Sequence, residues 1–406
     1  MLSGSPPGDY NRNGIVDTAD YVVWRKTLGT VVAAAGDGAD GNLDGTVGPE
    51  DHGVWRENFG TQAPPDNWFD DHIQDAAVRS LGSSLYVDGL IDRSDILALF
   101  QSAKDGGSVD ATEFNDLAAI ASNTSLYGTF EYVKKLTSYV VSGNSANVNY
   151  QGQTLGNLAA GSTATQLTNL VNKWFLGLDR PATPYGYALA SGTLFVDGPS
   201  YTDIAQGSLN TCAFLASLAE TSLRSPSTIN GMFVVNGDST YTVRFYHDGV
   251  AEYVTVDSYL PAGGGAYAGV PNGELWAALA EKAYAQFGET SEIGRNNSYA
   301  SIENLYAYST LTEITGQPTR GINGTAGVNS LSTFVSAYDA GKLICLASSA
   351  SPPMGGIVAN HVYAVVSYDA AAHTVTLFNP WGITSGLTTL TWSQVQANFL
   401  YYDRTA

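Results

Sequence analysis

One cysteine of this chain lies where a reactive thiol would be placed. Cys212 opens a run in which apolar residues recur at helical spacing, and Thr211 before it is an acceptable N-cap. A thiol in the first turn of a helix faces backbone N–H groups and the positive end of the helix dipole, which favour the thiolate. The pattern therefore indicates a nucleophile, although a lone helical cysteine also serves as a small buried apolar residue.

Residues before and after this cysteine could complete a catalytic site. His361 is predicted to start a strand and Asn379 to end the next one, so a hairpin would bring both side chains together. A thiolate needs an imidazole partner, and the imidazole needs an oxygen that fixes its orientation. Gln206 could donate a side-chain N–H to a developing oxyanion, with the Cys212 backbone N–H as the second donor. The order Gln, Cys, His, Asn, followed by Trp381, favours catalysis over separate structural roles.

The composition narrows the class of protein. The 406 residues, 44% apolar and 14% charged, suffice for two or three folded domains. The 38 acidic and 18 basic residues give a formal charge of −20, which argues against nucleic acid or anionic membrane as partners and suits divalent cations. No stretch reaches the ~18 apolar residues of a membrane span. No signal peptide is visible, as would also hold for a processed chain. Two cysteines cannot form a disulfide framework, and Cys345 is predicted to be a buried strand residue.

The N-terminal region contains a direct repeat, in which residues 8–29 align with residues 39–60. Each copy has oxygen-bearing residues at positions 1, 3, 5 and 12 of a loop, a carbonyl at position 7 and glycine at position 6, which is the spacing of a calcium loop. The predicted calcium ligands are Asp9, Asn11, Asn13, Ile15 and Asp20 in the first copy and Asp40, Asn42, Asp44, Thr46 and Asp51 in the second.

Two such loops, each followed by one helix ending in Leu-Gly or Phe-Gly, resemble a type I dockerin module. The resemblance covers residues 8–60 and implies a cohesin-like protein partner. It also suggests an extracytoplasmic or secreted setting.

The remaining organisation is read from composition and periodicity. Residues 61–66 form a predicted linker, and residues 67–130 are predicted to be a helical, degenerate EF-hand-like pair whose first positions are poor ligands. The predicted domains are a dockerin-like module (1–62), this helical pair (67–130), a helical connecting segment (131–190) and a catalytic domain (191–406).

The catalytic part is predicted to be α+β. Helical patterns occur at residues 211–223 and 274–287, and alternating segments occur at 241–246, 252–257, 362–368 and 374–378. This order indicates a helical half that carries the cysteine and a later half dominated by antiparallel sheet.

The same region resembles the calpain family of papain-like cysteine proteases. The resemblance rests on DIAQGSL (203–209), FLASLA (214–219), VDSYLP (256–261), ELWAALAEKAYA (274–285), NHVY (360–363) and NPWG (379–382). It implies a papain-like fold that hydrolyses peptide bonds in protein or peptide substrates. The implied roles are Cys212 as nucleophile, His361 as general base and acid, Asn379 as orienting residue, Gln206 as oxyanion donor and Trp381 as a shield over the His–Asn pair.

The resemblance also implies a calcium site in the protease core. The family's ligands match the carbonyls of Val196 and Gly198 and the carboxylates of Asp203 and Glu274. The family's second core site has no acidic residues here and is expected to be absent.

Three positions depart from the calpain pattern around the cysteine. Asn210 and Thr211 replace Gly-Asp, and Ala213 replaces an aromatic residue, which is expected to widen the cleft near the sulfur. A calcium-dependent endopeptidase is therefore weighed against a catalytically weakened scaffold that binds a partner through its N-terminal module. Acyl transfer to an amine is a third possibility, against which Asn379, rather than an aspartate, counts.

Overall fold

The computed structural model describes residues 6–62, 67–263, 265–290, 293–320 and 327–406. The chain forms two compact units, one of Met1–Ala103 with Ser125–Gly128 and one of Lys104–Thr124 with Thr129–Ala406. Most of the predicted linker, residues 63–66, lies outside the described residues. No helix in the described ranges is long and apolar enough to cross a membrane.

The helices in chain order are α1 (Thr18–Thr27), α2 (Pro49–Asn58), α3 (Trp68–His72), α4 (Ala76–Leu85), α5 (Arg93–Ser102), α6 (Ala111–Ser122), α7 (Glu131–Val141), α8 (Ala164–Trp174), α9 (Cys212–Arg224), α10 (Pro226–Asn230), α11 (Trp276–Phe287), α12 (Ala307–Thr315), α13 (Leu331–Asp339) and α14 (Trp392–Asn398).

The strands are β1 (Asn149–Tyr150), β2 (Gln153–Thr154), β3 (Tyr187–Leu189), β4 (Phe233–Val235), β5 (Thr240–His247), β6 (Val250–Asp257), β7 (Tyr259–Pro261), β8 (Thr319–Arg320), β9 (Ile344–Ser348), β10 (Val362–Asp369), β11 (Thr374–Phe378), β12 (Leu387–Thr391) and β13 (Phe399–Thr405).

In the N-terminal unit, each predicted calcium loop leads directly into a helix, α1 or α2. Asp17 caps α1, and Trp24 packs with Tyr10 and Val47 in a small core. In the region predicted to be a degenerate pair, the residues at loop position 12 belong to capping boxes whose N-caps are Asp92 and Asp110. Asp95 accepts the Asp92 N–H at 3.0 Å, and elsewhere Glu113 accepts the Asp110 N–H at 2.7 Å. These carboxylates therefore stabilise the first turns of α5 and α6.

The segment 131–190, predicted to be helical, contains short strands as well as helices. Besides α7 and α8 it contains the hairpin β1–β2, and β3 pairs with β7 at the edge of the catalytic region. The hairpin turns at Gln151 and Gly152, which have φ angles of 51° and 74°. This short turn has no helical period, and β3 is fixed by a partner some 70 residues away in the sequence, at Tyr259–Pro261.

The larger unit mixes helix and sheet as predicted. A six-stranded sheet has the order β12-β11-β10-β9-β13-β8, with every pair antiparallel, and a separate sheet has the order β4-β5-β6. Helices α9 and α11 share a core with the three-stranded sheet, while α13 and α14 cover the larger one. Cys345 is buried in β9, which confirms its predicted place.

Candidate active site

Cys212 is the first residue of α9, and only 8% of its surface is exposed. Thr211 occupies the N-cap position but does not cap the helix with its side chain. Its hydroxyl instead donates to the buried Glu281 carboxylate at 2.7 Å. The prediction of Thr211 as a capping residue was therefore wrong in its chemistry. The N–H groups at the helix start remain open toward the sulfur and toward any carbonyl that it attacks.

Glu281 is a site residue that the sequence reasoning missed. Its second oxygen accepts the Ala268 N–H at 2.8 Å, so one carboxylate joins the residue before the cysteine to a neighbouring loop. Burial raises the pKa of Glu281, and the bonds from Ala268 and Thr211 oppose that rise. An acidic residue inside the apolar pattern of residues 274–285 was the signal that could have found it.

His361 and Asn379 meet at one end of the six-stranded sheet. His361 Nε2 lies 2.9 Å from Asn379 Oδ1, and both residues are more than nine-tenths buried. Asn379 Oδ1 also accepts the Trp381 backbone N–H at 3.0 Å. Because a carboxamide oxygen only accepts, His361 donates from Nε2 and leaves Nδ1 for exchange of a proton with a thiol. The strand predicted to start at His361 begins one residue later, at Val362.

The Trp381 ring lies beside the imidazole. Its centroid is 5.3 Å from that of His361, and the two rings are inclined by 53°. Because 46% of Trp381 is exposed while His361 is buried, the indole lies between the His361–Asn379 pair and solvent. This cover keeps the hydrogen bond in a low-dielectric setting, where it is stronger.

The cysteine helix packs directly on the histidine strand. The backbone N–H of Val362, the residue after His361, interacts with Cys212 and lowers the pKa of its thiol, but burial is the larger effect and raises that pKa overall. Burial likewise lowers the pKa of His361, opposed by the bond to Asn379. This conformation therefore favours a neutral thiol and a neutral imidazole at pH 7.

Gln206 lies on a loop that joins the two halves of the site. Its backbone N–H donates to the Pro380 carbonyl at 2.7 Å, and its side-chain Nε2 donates to the Leu209 carbonyl at 2.6 Å. Its side-chain oxygen is buried and has no hydrogen-bond partner in the described part of the chain. One N–H of the predicted oxyanion donor is thus used locally, and the second remains for a ligand.

The small side chain of Ala213 is enclosed by neighbouring residues. Ala213 is buried at 1% exposure and belongs to a cluster with Ala307, Leu311 and Val362. Thr310 on α12 donates to the Ala213 carbonyl at 3.1 Å. Helix α12 therefore packs beside Ala213, and the wider cleft near the sulfur stays a prediction.

The departure at Asn210 is also accommodated by hydrogen bonds. The Asn210 N–H donates to the Glu303 carboxylate at 3.1 Å, and its carbonyl accepts the Asn304 N–H at 2.9 Å. The loop before the cysteine is therefore anchored to residues 303–304, a contact that no local pattern predicts.

Both N-terminal loops have the same hydrogen-bond pattern. Residues 1 and 12 of each loop are buried aspartates whose oxygens accept backbone N–H groups within the loop, and glycine 6 has a φ near 85°. The acceptors are Asp9 and Asp20 in the first loop and Asp40 and Asp51 in the second. Asn13 and Asp44 at position 5 accept the N–H groups of Ile15 and Thr46.

Two further carboxylates lie together in the protease core. Asp203 and Glu274 are at most 5% exposed, and Glu274 accepts the Val196 N–H at 2.6 Å. Burial raises the pKa of Glu274, and the hydrogen-bonded, negatively charged Asp203 raises it further. Gly198, with a φ of 87°, turns the loop between Val196 and Asp203. Two carboxyl groups this close together are expected to share either a proton or a cation.

Within the described ranges, no group of three or more histidine, cysteine, aspartate or glutamate side chains is arranged to hold a metal ion. All three candidate calcium sites combine carboxylates with carbonyl oxygens, and the two N-terminal loops add carboxamides. Such mixed oxygen sets suit calcium, which takes six to eight oxygen ligands in flexible geometry.

The mixed helix-and-sheet fold is consistent with a cysteine protease core, and sequence comparison names the family. The family profile described as calpain family cysteine protease matches residues 181–399, more than half of the chain. The chain therefore belongs to the calpain family of cysteine proteases. The match begins ten residues before the predicted catalytic domain and includes β3.

Individual relatives agree with this assignment. The chain is 26% identical to Calpain clp-4 of Caenorhabditis elegans over 223 residues, 48% of this chain and 30% of the relative. It is 32% identical to Calpain-type cysteine protease DEK1 of Zea mays over 130 residues, 30% of this chain and 6% of that protein. The chain thus spans less than a third of the length of these curated relatives.

Proposed function

We propose that this protein is a calcium-dependent cysteine endopeptidase that hydrolyses peptide bonds through Cys212, His361 and Asn379. The observation that carries the proposal is the buried 2.9 Å bond from His361 to Asn379 beside a helix that begins with Cys212. This arrangement supplies a nucleophile, a base of fixed tautomer and an orienting oxygen.

The residues suggest a two-step reaction. His361 takes the thiol proton at Nδ1 as Cys212 Sγ attacks the peptide carbonyl, and the oxyanion is received by the Cys212 N–H and the second Gln206 side-chain N–H. The C–N bond then breaks, His361 gives its proton to the leaving amine, and a thioester remains on Cys212. His361 next deprotonates water, which attacks the thioester and releases the carboxylic acid while the thiol recovers its proton.

Asn379 and Trp381 serve the base and do not react. The carboxamide oxygen stabilises the imidazolium formed after the first proton transfer, and Trp381 excludes water from that bond. Because the Cys212 thiol and the His361 imidazole are both neutral at rest, the proton must move as the sulfur attacks the carbonyl. Alternatively, substrate and calcium bring the cysteine half and the histidine half into a more polar arrangement.

The test uses epoxide reagents of the E-64 type, which trap papain-like thiolates. Wild type is expected to label at Cys212 in the presence of calcium, and Cys212→Ala is not. Cys345→Ala is the matched control, since that buried thiol lies on β9 away from the proposed base. Absence of labelling with and without calcium would reject the protease proposal.

The calcium dependence belongs to the same proposal. The carboxylates of Asp203 and Glu274 and the carbonyls of Val196 and Gly198 would hold one ion in the core. The N-terminal loops would hold two, through their aspartate, asparagine and carbonyl oxygens. Bound calcium would supply positive charge that relieves the repulsion between paired acids and fixes the loops that carry them. The proximity of the buried Asp203 and Glu274 carboxylates supports the core site.

Asp203→Ala is expected to raise the calcium concentration for half-maximal activity by about tenfold or more, because a charged ligand is lost. The measurement is casein hydrolysis against free calcium. Asp238→Ala, in the turn between β4 and β5, is the control for the loss of an acidic side chain. An unchanged calcium dependence in Asp203→Ala would rule out this site as the activator.

A second candidate function is recruitment of a protein partner by a catalytically weakened enzyme. It is favoured by the N-terminal aromatic cluster of Tyr21, Trp24, His52 and Trp55, beside which 46% of Val22 is exposed. We propose that this dockerin-like module, residues 1–62, docks a cohesin-like partner and that the protein works in an extracytoplasmic setting. Binding of a cohesin in calcium, lost in EDTA and in Asp20→Ala/Asp51→Ala, tests this role separately from labelling of Cys212.

A further inference from the structure

One fully buried carboxylate of the cysteine helix takes no part in the proposed chemistry. Glu220 lies about two turns after Cys212 on α9 and is 0% exposed. Its Oε1 accepts the Ile344 N–H at 3.0 Å, and its Oε2 accepts the Val365 N–H at 3.0 Å. These amides belong to β9 and β10, so a single side chain joins the helix to two strands.

The Glu220 carboxylate lies where the pairing of β9 with β10 stops. The last paired residues are Ala364 and Cys345, and the next pair would be Val365 and Ile344. The N–H groups of those two residues point to Glu220 instead. An ionised carboxylate accepts both bonds strongly, whereas a protonated one carries a donor on one oxygen and is a weaker acceptor. The contact therefore depends on ionisation.

Contacts at two points hold α9 along β10. At one end the Val362 N–H meets Cys212. At the other the Val365 N–H meets Glu220, and the Val365 carbonyl accepts from Arg224 at 3.2 Å. Eight residues of helix span ~12 Å, and three residues of strand span ~10 Å. The similar lengths mean that the helix runs beside the strand with little freedom to slide, which holds the sulfur at the His361 end.

The charges around Glu220 set its ionisation. Arg224 on the same helix donates from Nε to Oε1 at 2.6 Å, and its guanidinium lies 4.3 Å from the ring centroid of Tyr338 on α13. Cys345 on β9 faces the carboxylate, and Asp403 on β13 also acts on that thiol. Burial raises the pKa of Glu220 to about 7, against the opposing effect of Arg224.

We propose that Glu220 is a positioning residue that, when ionised, holds the cysteine helix in register with the strand that follows His361. This inference rests on the proposed protease function. Above the pKa of Glu220 the carboxylate accepts both strand amides. As the pH falls through about 7, protonation weakens these bonds and loosens the alignment.

The test measures casein hydrolysis in calcium between pH 6 and 9. Glu220→Gln is expected to lower kcat about tenfold at pH 8, with KM within twofold of the wild-type value. The fall in activity that wild type shows near pH 7 is expected to be smaller in this variant. Arg224→Met keeps the carboxylate but removes its cation, so the midpoint of that fall is expected to rise by about one pH unit. Glu252→Gln is the control, because it neutralises another buried acid that pairs with Lys135 away from α9.

Amide hydrogen exchange provides a readout that does not need catalysis. In Glu220→Gln, protection at Ile344 and Val365 is expected to fall about tenfold relative to wild type, while Leu346 and Tyr363 in the intact ladder keep theirs. If these two amides exchange in Glu220→Gln at the wild-type rate, the proposed contact is rejected.

The outcomes separate the two proposals. An active wild type with an unchanged kcat and pH profile in Glu220→Gln overturns the positioning role alone. A wild type that neither cleaves casein nor labels at Cys212 overturns the protease function, and the positioning role with it. If Glu220→Gln does not fold, an unshifted midpoint in Arg224→Met overturns the inference.

Discussion

Replacing His361 by alanine is expected to lower kcat/KM for casein by about 1,000-fold, because general acid–base transfer typically contributes a factor of this order. In the proposed mechanism the imidazole, one residue before β10, acts as the base, and its Nε2 donates to Asn379 Oδ1 at 2.9 Å. Without it, the thiol keeps the raised pKa that burial gives it and ionises little at pH 7. Initial rates in saturating calcium provide the measurement.

Two further variants sharpen this expectation. Asn379→Ala should lose less, about 10-fold to 100-fold, because the carboxamide orients the base and exchanges no proton. His373→Ala is the matched control, since His373 lies in the exposed β10–β11 turn and its imidazole hydrogen-bonds to the Tyr368 hydroxyl, away from the proposed site. Activity of His361→Ala within tenfold of wild type would contradict the assigned role of the base.

Lys282→Met is expected to destabilise the larger unit by ~3 kcal/mol, in the range found when a buried ion pair loses one partner. Lys282 on α11 is 0% exposed and donates to the Asp257 carboxylate and to the carbonyls of Asp257 and Tyr259. Burial lowers the pKa of Lys282 to about 8, against the opposing charge of Asp257. Methionine fills the volume but removes the ammonium that these oxygens share.

Urea unfolding followed by tryptophan fluorescence measures this effect. Lys134→Met is the control, because that ammonium is partly exposed and pairs with Glu131 on the surface of α7. It should change the free energy of unfolding by less than ~1 kcal/mol. A similar small change in Lys282→Met would show that Arg180, which also binds Asp257, compensates for the lost charge.

The secondary structure around the site was accessible from the sequence because its signals are local. The helical period after Cys212 predicted α9, and the alternating segments predicted β5, β6, β10 and β11 to within a few residues. Where a distant partner fixed the conformation, prediction was poorer. β3 was missed because only its pairing with β7 makes it a strand.

The sequence by itself determined the set and order of candidate reacting residues, because side-chain chemistry and local spacing are written directly in it. Only the tertiary structure decided how their surroundings are built. Thr211 turns to Glu281 instead of capping its helix, α12 occupies the space beside Ala213, and Glu220 interrupts the pairing of two strands. These contacts join residues 70 to 145 positions apart. They follow from packing and from the need to satisfy buried polar groups, which no local pattern encodes.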